Sequence, residues 1–373
     1  MSKIFWRQTN ADLTDYLLPW YMFLRRNGLA AFATNFSNYT PPYLYFLGLS
    51  TLFDGLLQPA TIIRGISVIF NVVAAALVFW FARKRELPLG ASLYAAAMFF
   101  MLPGLIVNSA IWGQCDIIYT SFLMLFVCFV IERRGWAATT ALGVAFAFKQ
   151  QTAFIAPFVL YLLLSRQLYW RQLVMVPLSF LFLMLPSAIA GRPWVEMLTV
   201  YVQQFDHFRA VSMRAPNPYF ILQKFVNHFP SLYWPLTVMG LAFGVALVVA
   251  LAVMFVRRTE RPNTEQLLLM ATLSLAAIPY VLPKMHDRYF FPATAMAFLL
   301  VLVRPRSWPV LLLMQLAELC AYVPFLVPGS SELLWLALGG VLMTAAIVWL
   351  VGLLFEWPVV NNATILPIEN AAP

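Results

Sequence analysis

Charge is scarce in this sequence. Charged residues make up 10% of its 373 positions and hydrophobic residues 62%, and the mean hydropathy is +0.80. A soluble globular domain carries about 25% charged residues. Here 24 basic and 15 acidic side chains cannot cover the surface of a soluble protein of this length. A soluble enzyme, a disordered chain and a coiled coil are therefore excluded. Cysteine is rare too. Cys115, Cys128 and Cys320 give no disulfide framework, and the last two lie in apolar runs as small core residues. Only three histidines are present, with no HExxH, EF-hand, Walker A or GxGxxG pattern. No dedicated metal site and no cofactor are expected. No basic cluster is long enough for nucleic acid, and basic loops beside a membrane account for the net charge of +9. The opening MSKIFWRQTNADLTD has no apolar run, so it is not a signal peptide. There is no internal repeat.

What is present is apolar sequence in long runs. The reading is an all-α polytopic membrane protein, with room for ten or eleven spans at roughly 20 residues each. The runs predict about eleven helices, near 60–82, 87–111, 117–131, 136–148, 153–164, 173–190, 231–256, 266–283, 289–303, 308–328 and 333–355. The chain reads as a single integral membrane domain. Residues 1–59 form an external loop and interfacial segment, 60–190 and 231–356 are transmembrane, 191–230 is a second external loop, and 357–373 is a polar tail.

Orientation follows from the short loops. Arg83-Lys84-Arg85, Arg133-Arg134, Arg166 with Arg171, Arg257-Arg258 with Arg261, and Arg304 with Arg306 occupy alternate loops, and the loops between them carry few basic residues. Basic loops face the cytoplasm. This alternation requires a helix break at Lys149-Gln150-Gln151, because one continuous helix over 136–164 would reverse everything downstream. It also places 1–59 outside with no span before it: either a short N-terminal tail is translocated unaided or a first helix is missing upstream, and the second is the expectation.

The unusual polar residues then share the outer face: Asp12 and Asp15, Trp112-Gly113-Gln114-Cys115-Asp116, Lys149-Gln150-Gln151, and Lys284-Met285-His286-Asp287-Arg288-Tyr289. Ionisable groups beside apolar spans are costly and usually functional. Each also has a plainer role. Asp15 and Asp116 suit helix N-caps or solvated acids. Lys149 can snorkel to the interface, and Asp287 and Arg288 can satisfy each other in a turn. The aromatic residues, Tyr39 and Tyr219 among them, suit an interfacial belt. His207 and His228 read as ordinary loop residues. The 284–288 segment is the least plain, because two permanent cations and a histidine in so tight a loop suit an anion such as a phosphate.

Taken in order, Asp15-Tyr16-Leu17-Leu18-Pro19-Trp20, Asn38-Tyr39-Thr40-Pro41-Pro42-Tyr43, Trp112-Gly113-Gln114-Cys115-Asp116, Phe148-Lys149-Gln150-Gln151, Ala215-Pro216-Asn217-Pro218-Tyr219 and His286-Asp287-Arg288-Tyr289-Phe290-Phe291-Pro292 resemble the bacterial GT-C glycosyltransferases. The likeness is to the mannosyltransferase-like lineage that uses polyprenyl-phosphate-linked sugars, and it spans about 12 to 292. It implies an inverting enzyme of the bacterial inner membrane with its site facing the periplasm. The donor is a polyprenyl-phosphate sugar and the acceptor a hydroxyl of a glycan, lipid or protein. By the same resemblance, Asp15 is the first choice and Asp12 the second for the catalytic carboxylate, which acts as general base or orients the acceptor. Lys149, Lys284 and Arg288, with His286, bind the donor phosphate. Trp112, Gln114, Asp116, Tyr39, Asn217 and Tyr219 line the site.

Two other classes compete. A transporter or flippase would place its charges near the midplane on broken helices and show a repeat, whereas these charges sit at span ends. A non-catalytic envelope assembly subunit would keep its function after Asp15→Asn or Arg288→Ala.

Overall fold

The computed structural model describes residues 10–207, 209–259 and 261–356, and only the backbone of Asp206 and His207. The expected polar tail at 357–373 and the side chain of His207 lie outside the described residues.

The apolar runs are helical where the sequence places them. In chain order the helices are α1 (Leu18–Asn27), α2 (Pro41–Ser50), α3 (Pro59–Lys84), α4 (Leu89–Phe100), α5 (Pro103–Trp112), α6 (Asp116–Ile131), α7 (Gly135–Phe148) and α8 (Gln150–Leu164). They continue with α9 (Trp170–Ala190), α10 (Trp194–His207), α11 (Tyr219–His228), α12 (Pro230–Arg258), α13 (Thr264–Val281), α14 (Phe291–Val303), α15 (Pro305–Leu326) and α16 (Glu332–Phe355). Several begin on proline, whose missing N–H costs nothing in a first turn. Asn263 and Gln266 cap α13 reciprocally.

Helix length supports part of the expected count of about eleven spans. Six described helices (α3, α9, α12, α13, α15 and α16) are long and apolar enough to cross a membrane. A seventh crossing is made if α4 and α5, bent by 52° at a short break, act as one. The apolar helices α6, α7, α8 and α14 are shorter. The break expected at Lys149 is present: α7 ends at Phe148 and Lys149 is extended before α8. One feature departs from an all-α fold. β1 (Ser212–Met213) and β2 (Met285–His286) pair in parallel and tie the 191–230 segment to the 284–288 loop.

Burial sorts the helices into shells. The hydrophobic window of α13 is 72% buried, against 22% in α9 and 28% in α12. Helices apolar all round belong inside, whereas those with exposed Leu, Val and Phe present them to lipid. Around α13 pack α6, α14 and α16.

Contacts also sort the loops into two ends. Arg85 meets Glu132 (2.6 Å) and Thr264 (3.0 Å), Arg304 meets Glu265 (2.5 Å) and Glu356, and the Tyr161 hydroxyl donates to the Thr259 carbonyl (3.2 Å). These ties gather the arginine-rich loops at one end. Asp116, at the start of α6, lies about 24 Å away along that helix, at 1.5 Å per residue.

Candidate active site

The far end is built from many separated pieces of chain. Asn10 fixes the first piece to the rest by donating to the Trp112 carbonyl (3.0 Å) and accepting from the Leu13 amide (2.9 Å). One helical turn then presents Asp12. Gly113 follows α5 with φ +87°, a left-handed turn that suits glycine. It reverses the chain so that Trp112 and Gln114 reach the same carboxylate. Trp112 Nε1 donates to Asp12 Oδ2 (3.1 Å) and Gln114 Nε2 donates to it at 2.5 Å. Trp112 is itself fully buried and stacks on Phe325 (centroids 4.2 Å).

Arg288, from the loop between α13 and α14, joins three carboxylates. Its guanidinium lies 3.4 Å from Asp12, 3.6 Å from Asp116 and 3.6 Å from Asp287, and stands over the Trp112 ring at 5.4 Å. Asp116 is fully buried and also holds Lys149 Nζ at 2.6 Å and Asn108 Nδ2 at 3.0 Å. Burial opposes the Lys149 charge, but the Asp116 carboxylate more than offsets it and holds the ammonium well above its usual range. The Tyr39 ring covers that ammonium at 5.4 Å. Burial pushes the Asp287 carboxyl up to about 7, against the opposing pull of Arg288. Burial likewise drives His286 well below its ordinary range, and the Arg288 and Lys149 charges add to that, so its imidazole is neutral.

Lys284 has different surroundings. Its backbone is left-handed (φ +63°), and its amide is fixed to the Val211 carbonyl at 2.7 Å. Its ammonium donates to the Phe205 carbonyl and to the Tyr233 hydroxyl (2.8 Å), and lies 4.2 Å over the Phe205 ring. Every described partner is neutral.

These groups surround a cavity of about 330 Å³. Asp12, Tyr39, Gln114, Lys149, Lys284, His286 and Arg288 line it, together with Tyr16, Trp20 and Tyr201. Leu241, from α12, also lines it and is 37% exposed.

The structure therefore brings together Asp12, Tyr39, Trp112, Gln114, Asp116, Lys149, Lys284, His286 and Arg288. Three expected residues lie elsewhere. Asp15 is exposed, accepts from the Thr14 hydroxyl (2.8 Å) and lines neither this cavity nor its neighbour. Asn217 is a bracket: its amide donates to the Pro279 and Leu282 carbonyls (3.1 and 3.2 Å). Tyr219 packs its hydroxyl against Gly240, where an added Cβ would come within 2.1 Å. Sequence reasoning passed over Asn108 and Gln204. Asn108 is a lone amide in an apolar run, which is a signal in itself. Gln204 donates to the Asn38 carbonyl and accepts from Gln150 (3.0 Å), closing the cavity rim, and nothing in its local sequence marks it. Among the described residues, no group of three His, Cys, Asp or Glu side chains is placed to hold a metal.

Comparison with known proteins gives three findings. No curated protein matches the sequence. The crystal structure of ArnT from Cupriavidus metallidurans in the apo state aligns over 91% of this chain and 72% of its own, with a TM-score of 0.45 and 15% identity. The family model of glycosyltransferase family 87 matches residues 36–280, which takes in Tyr39, the Trp112–Asp116 turn and Lys149. With most of its length matched, the chain belongs to glycosyltransferase family 87 and is a multi-pass membrane glycosyltransferase.

Proposed function

We propose that the protein moves a sugar from a polyprenyl-phosphate donor to an acceptor hydroxyl by a single displacement that inverts the anomeric centre. The observation that carries this is the pairing, in one cavity, of a carboxylate with a lysine that has no carboxylate partner among the described residues. Lys149 and Arg288 are neutralised by acids, whereas among the described residues Lys284 is held by a carbonyl and a hydroxyl, which a phosphate would readily replace. Leu241, Leu17 and Phe154 give the cavity an apolar wall that suits the start of a polyprenyl chain.

The chemistry needs no more than this. The acceptor hydroxyl gives its proton to Asp12 as its oxygen bonds to C1 of the sugar. The bond from C1 to the phosphate oxygen breaks, and its electron pair leaves on that oxygen beside Lys284. No second carboxylate acts as nucleophile, as it would in a retaining hydrolysis. Asp12 takes the role of base because it faces the cavity, while Asp15 faces away. Asp116, Lys149 and Arg288 hold the frame, and neutral His286 offers a hydrogen bond rather than a charge.

Eleven apolar helical segments then pass through the bacterial inner membrane. The arginine-rich end lies in the cytoplasm by the positive-inside rule, and the site faces the periplasm. The test is a transfer assay on the purified protein in lipid, with a panel of polyprenyl-phosphate sugars and an envelope acceptor extract. Transfer from one donor into the opposite anomer supports the reading. Retention of configuration, or no transfer from any donor, rejects it.

A further inference from the structure

Helix α5 carries much of the site on a short, irregular piece of chain. Its Asn108 amide donates to Asp116 (3.0 Å) and its Trp112 indole donates to Asp12 (3.1 Å). Gln114, two residues beyond, donates to the same Asp12 oxygen (2.5 Å). The stretch Val107–Trp112 is wound as a π-helix, a rare winding found mostly at functional sites. At its other end α5 begins on Pro103, after the break that bends it by 52° from α4. A helix this short is marginal by itself, so its position must come from packing.

One face of α15 supplies that packing. Gln315, Glu318, Tyr322 and Phe325 recur at spacings of three and four, which sets them in a row on one side of the helix. Tyr322 and Phe325 pack on Trp112, with ring centroids 5.3 and 4.2 Å away. Gln315 Oε1 accepts from the Gly104 amide (2.9 Å), one of the free amides in the first turn of α5. Glu318 is fully buried. Its Oε1 accepts from Thr294 Oγ1 of α14, and its Oε2 lies so close to Gly104 that an added Cβ there would come within 2.7 Å. The row therefore grips α5 at both ends, and Glu318 joins the foot of α5 to α14.

The carboxyl group is the unexpected member of this row. Glu318 lies about 15 Å along α15 from Trp308, in the middle of a span. An ionisable residue inside a span is costly and usually has a role. Capping does not account for it, because Gln315 already accepts from Gly104.

We infer that Glu318 is a positioning residue of the transferase: it fixes the foot of α5, and thereby the reach of Trp112 and Gln114 to Asp12. This rests on the reading of Asp12 as the base. A misplacement of about 1 Å, caused by a change away from the chemistry, can cost about 10²-fold in rate.

The test uses full-length protein in lipid nanodiscs and two readouts. Hydrogen exchange over residues 103–114 reads the hold on α5 without any reaction. The Gln114 amide, which donates to the Asn108 carbonyl at 2.9 Å, lies within that stretch. Glu318→Leu speeds exchange there about 3–10-fold, the worth of one neutral hydrogen bond, and leaves α12 unchanged. In transfer kinetics the same variant lowers kcat about 10–100-fold and leaves both KM values near wild type. Glu318→Gln, which keeps an oxygen to accept from Thr294, restores both readouts. In an Asp12→Asn background Glu318→Leu costs nothing more, because the group it positions is already gone. Unchanged exchange over 103–114 in Glu318→Leu overturns the inference, whether or not transfer is seen. So does an undiminished kcat, an equal loss in the Asp12→Asn background, or a Glu318→Gln variant as impaired as Glu318→Leu. If Glu318→Leu fails to fold, Gly104→Ala disturbs the same contact from the other side, and exchange and kcat equal to wild type reject the proposal. Faster exchange as expected, with no transfer by the wild type, supports the grip on α5 and sinks the transferase reading alone.

Discussion

The two ends of the molecule use arginine in opposite ways. At one end Arg85 pairs with one acid and Arg304 with two, and every partner keeps some contact with solvent. Such pairs contribute about 0–1 kcal/mol each. At the other end Arg288 is almost wholly enclosed and must satisfy Asp12, Asp116 and Asp287 together. Burying that many charges is unfavourable unless geometry and hydrogen bonds compensate. The first arrangement ties loops together. The second sets the positions of groups around a cavity, and its cost is what marks it as a site.

Substitutions at the two ends should separate these roles. Arg288→Ala should have the largest effect, about 3–5 kcal/mol of destabilisation, because it strands buried carboxylates. Denaturant or thermal unfolding in detergent would measure it, and a loss below about 1 kcal/mol would mean that the cluster does not act as a unit. Lys284→Met should raise the donor KM about 10–100-fold, the usual worth of a hydrogen bond to a charged group, while the acceptor KM is unchanged in two-substrate kinetics. Asp287 gives a smaller effect that depends on pH. Its carboxyl is pushed up to about 7 in the folded protein, whereas an unfolded Asp titrates near 4. Between about pH 4 and pH 7 the folded state holds the extra proton, so stability falls as pH rises through that window. Melting temperatures across it should slope downward in the wild type, by at most about 1.4 kcal/mol per pH unit, and flatten in Asp287→Asn. Arg304→Ala, at the opposite end, removes two exposed pairs, should cost about 0–2 kcal/mol in the same unfolding assay and should leave transfer rates unaltered.

Much of this was legible in the sequence, for identifiable reasons. Apolar runs define helices in a membrane because the backbone has no other way to satisfy its hydrogen bonds. The break at Lys149 was visible because charge alternation demanded it. The 284–288 cluster stood out because so many ionisable groups in one tight loop are expensive. Helix length was harder to judge: α6, α7, α8 and α14 are apolar but short, and composition does not separate a short crossing from a buried core helix. Asp12 and Asp15 were inseparable by composition, since three residues on one turn decide which carboxylate faces inward. That choice is made by Asn10 and by the turn at Gly113, a contact between residues about a hundred positions apart. Asn217 and Tyr219 carried a motif whose side chains brace helices rather than line the cavity.

The decisive measurement compares Asp12→Asn with Asp15→Asn in the transfer assay, using purified protein in lipid at saturating donor. Removing the base should lower the rate about 10²–10⁴-fold. The account predicts that loss in Asp12→Asn and a rate within about twofold of wild type in Asp15→Asn. The reverse pattern, or an undiminished rate in Asp12→Asn, would contradict it.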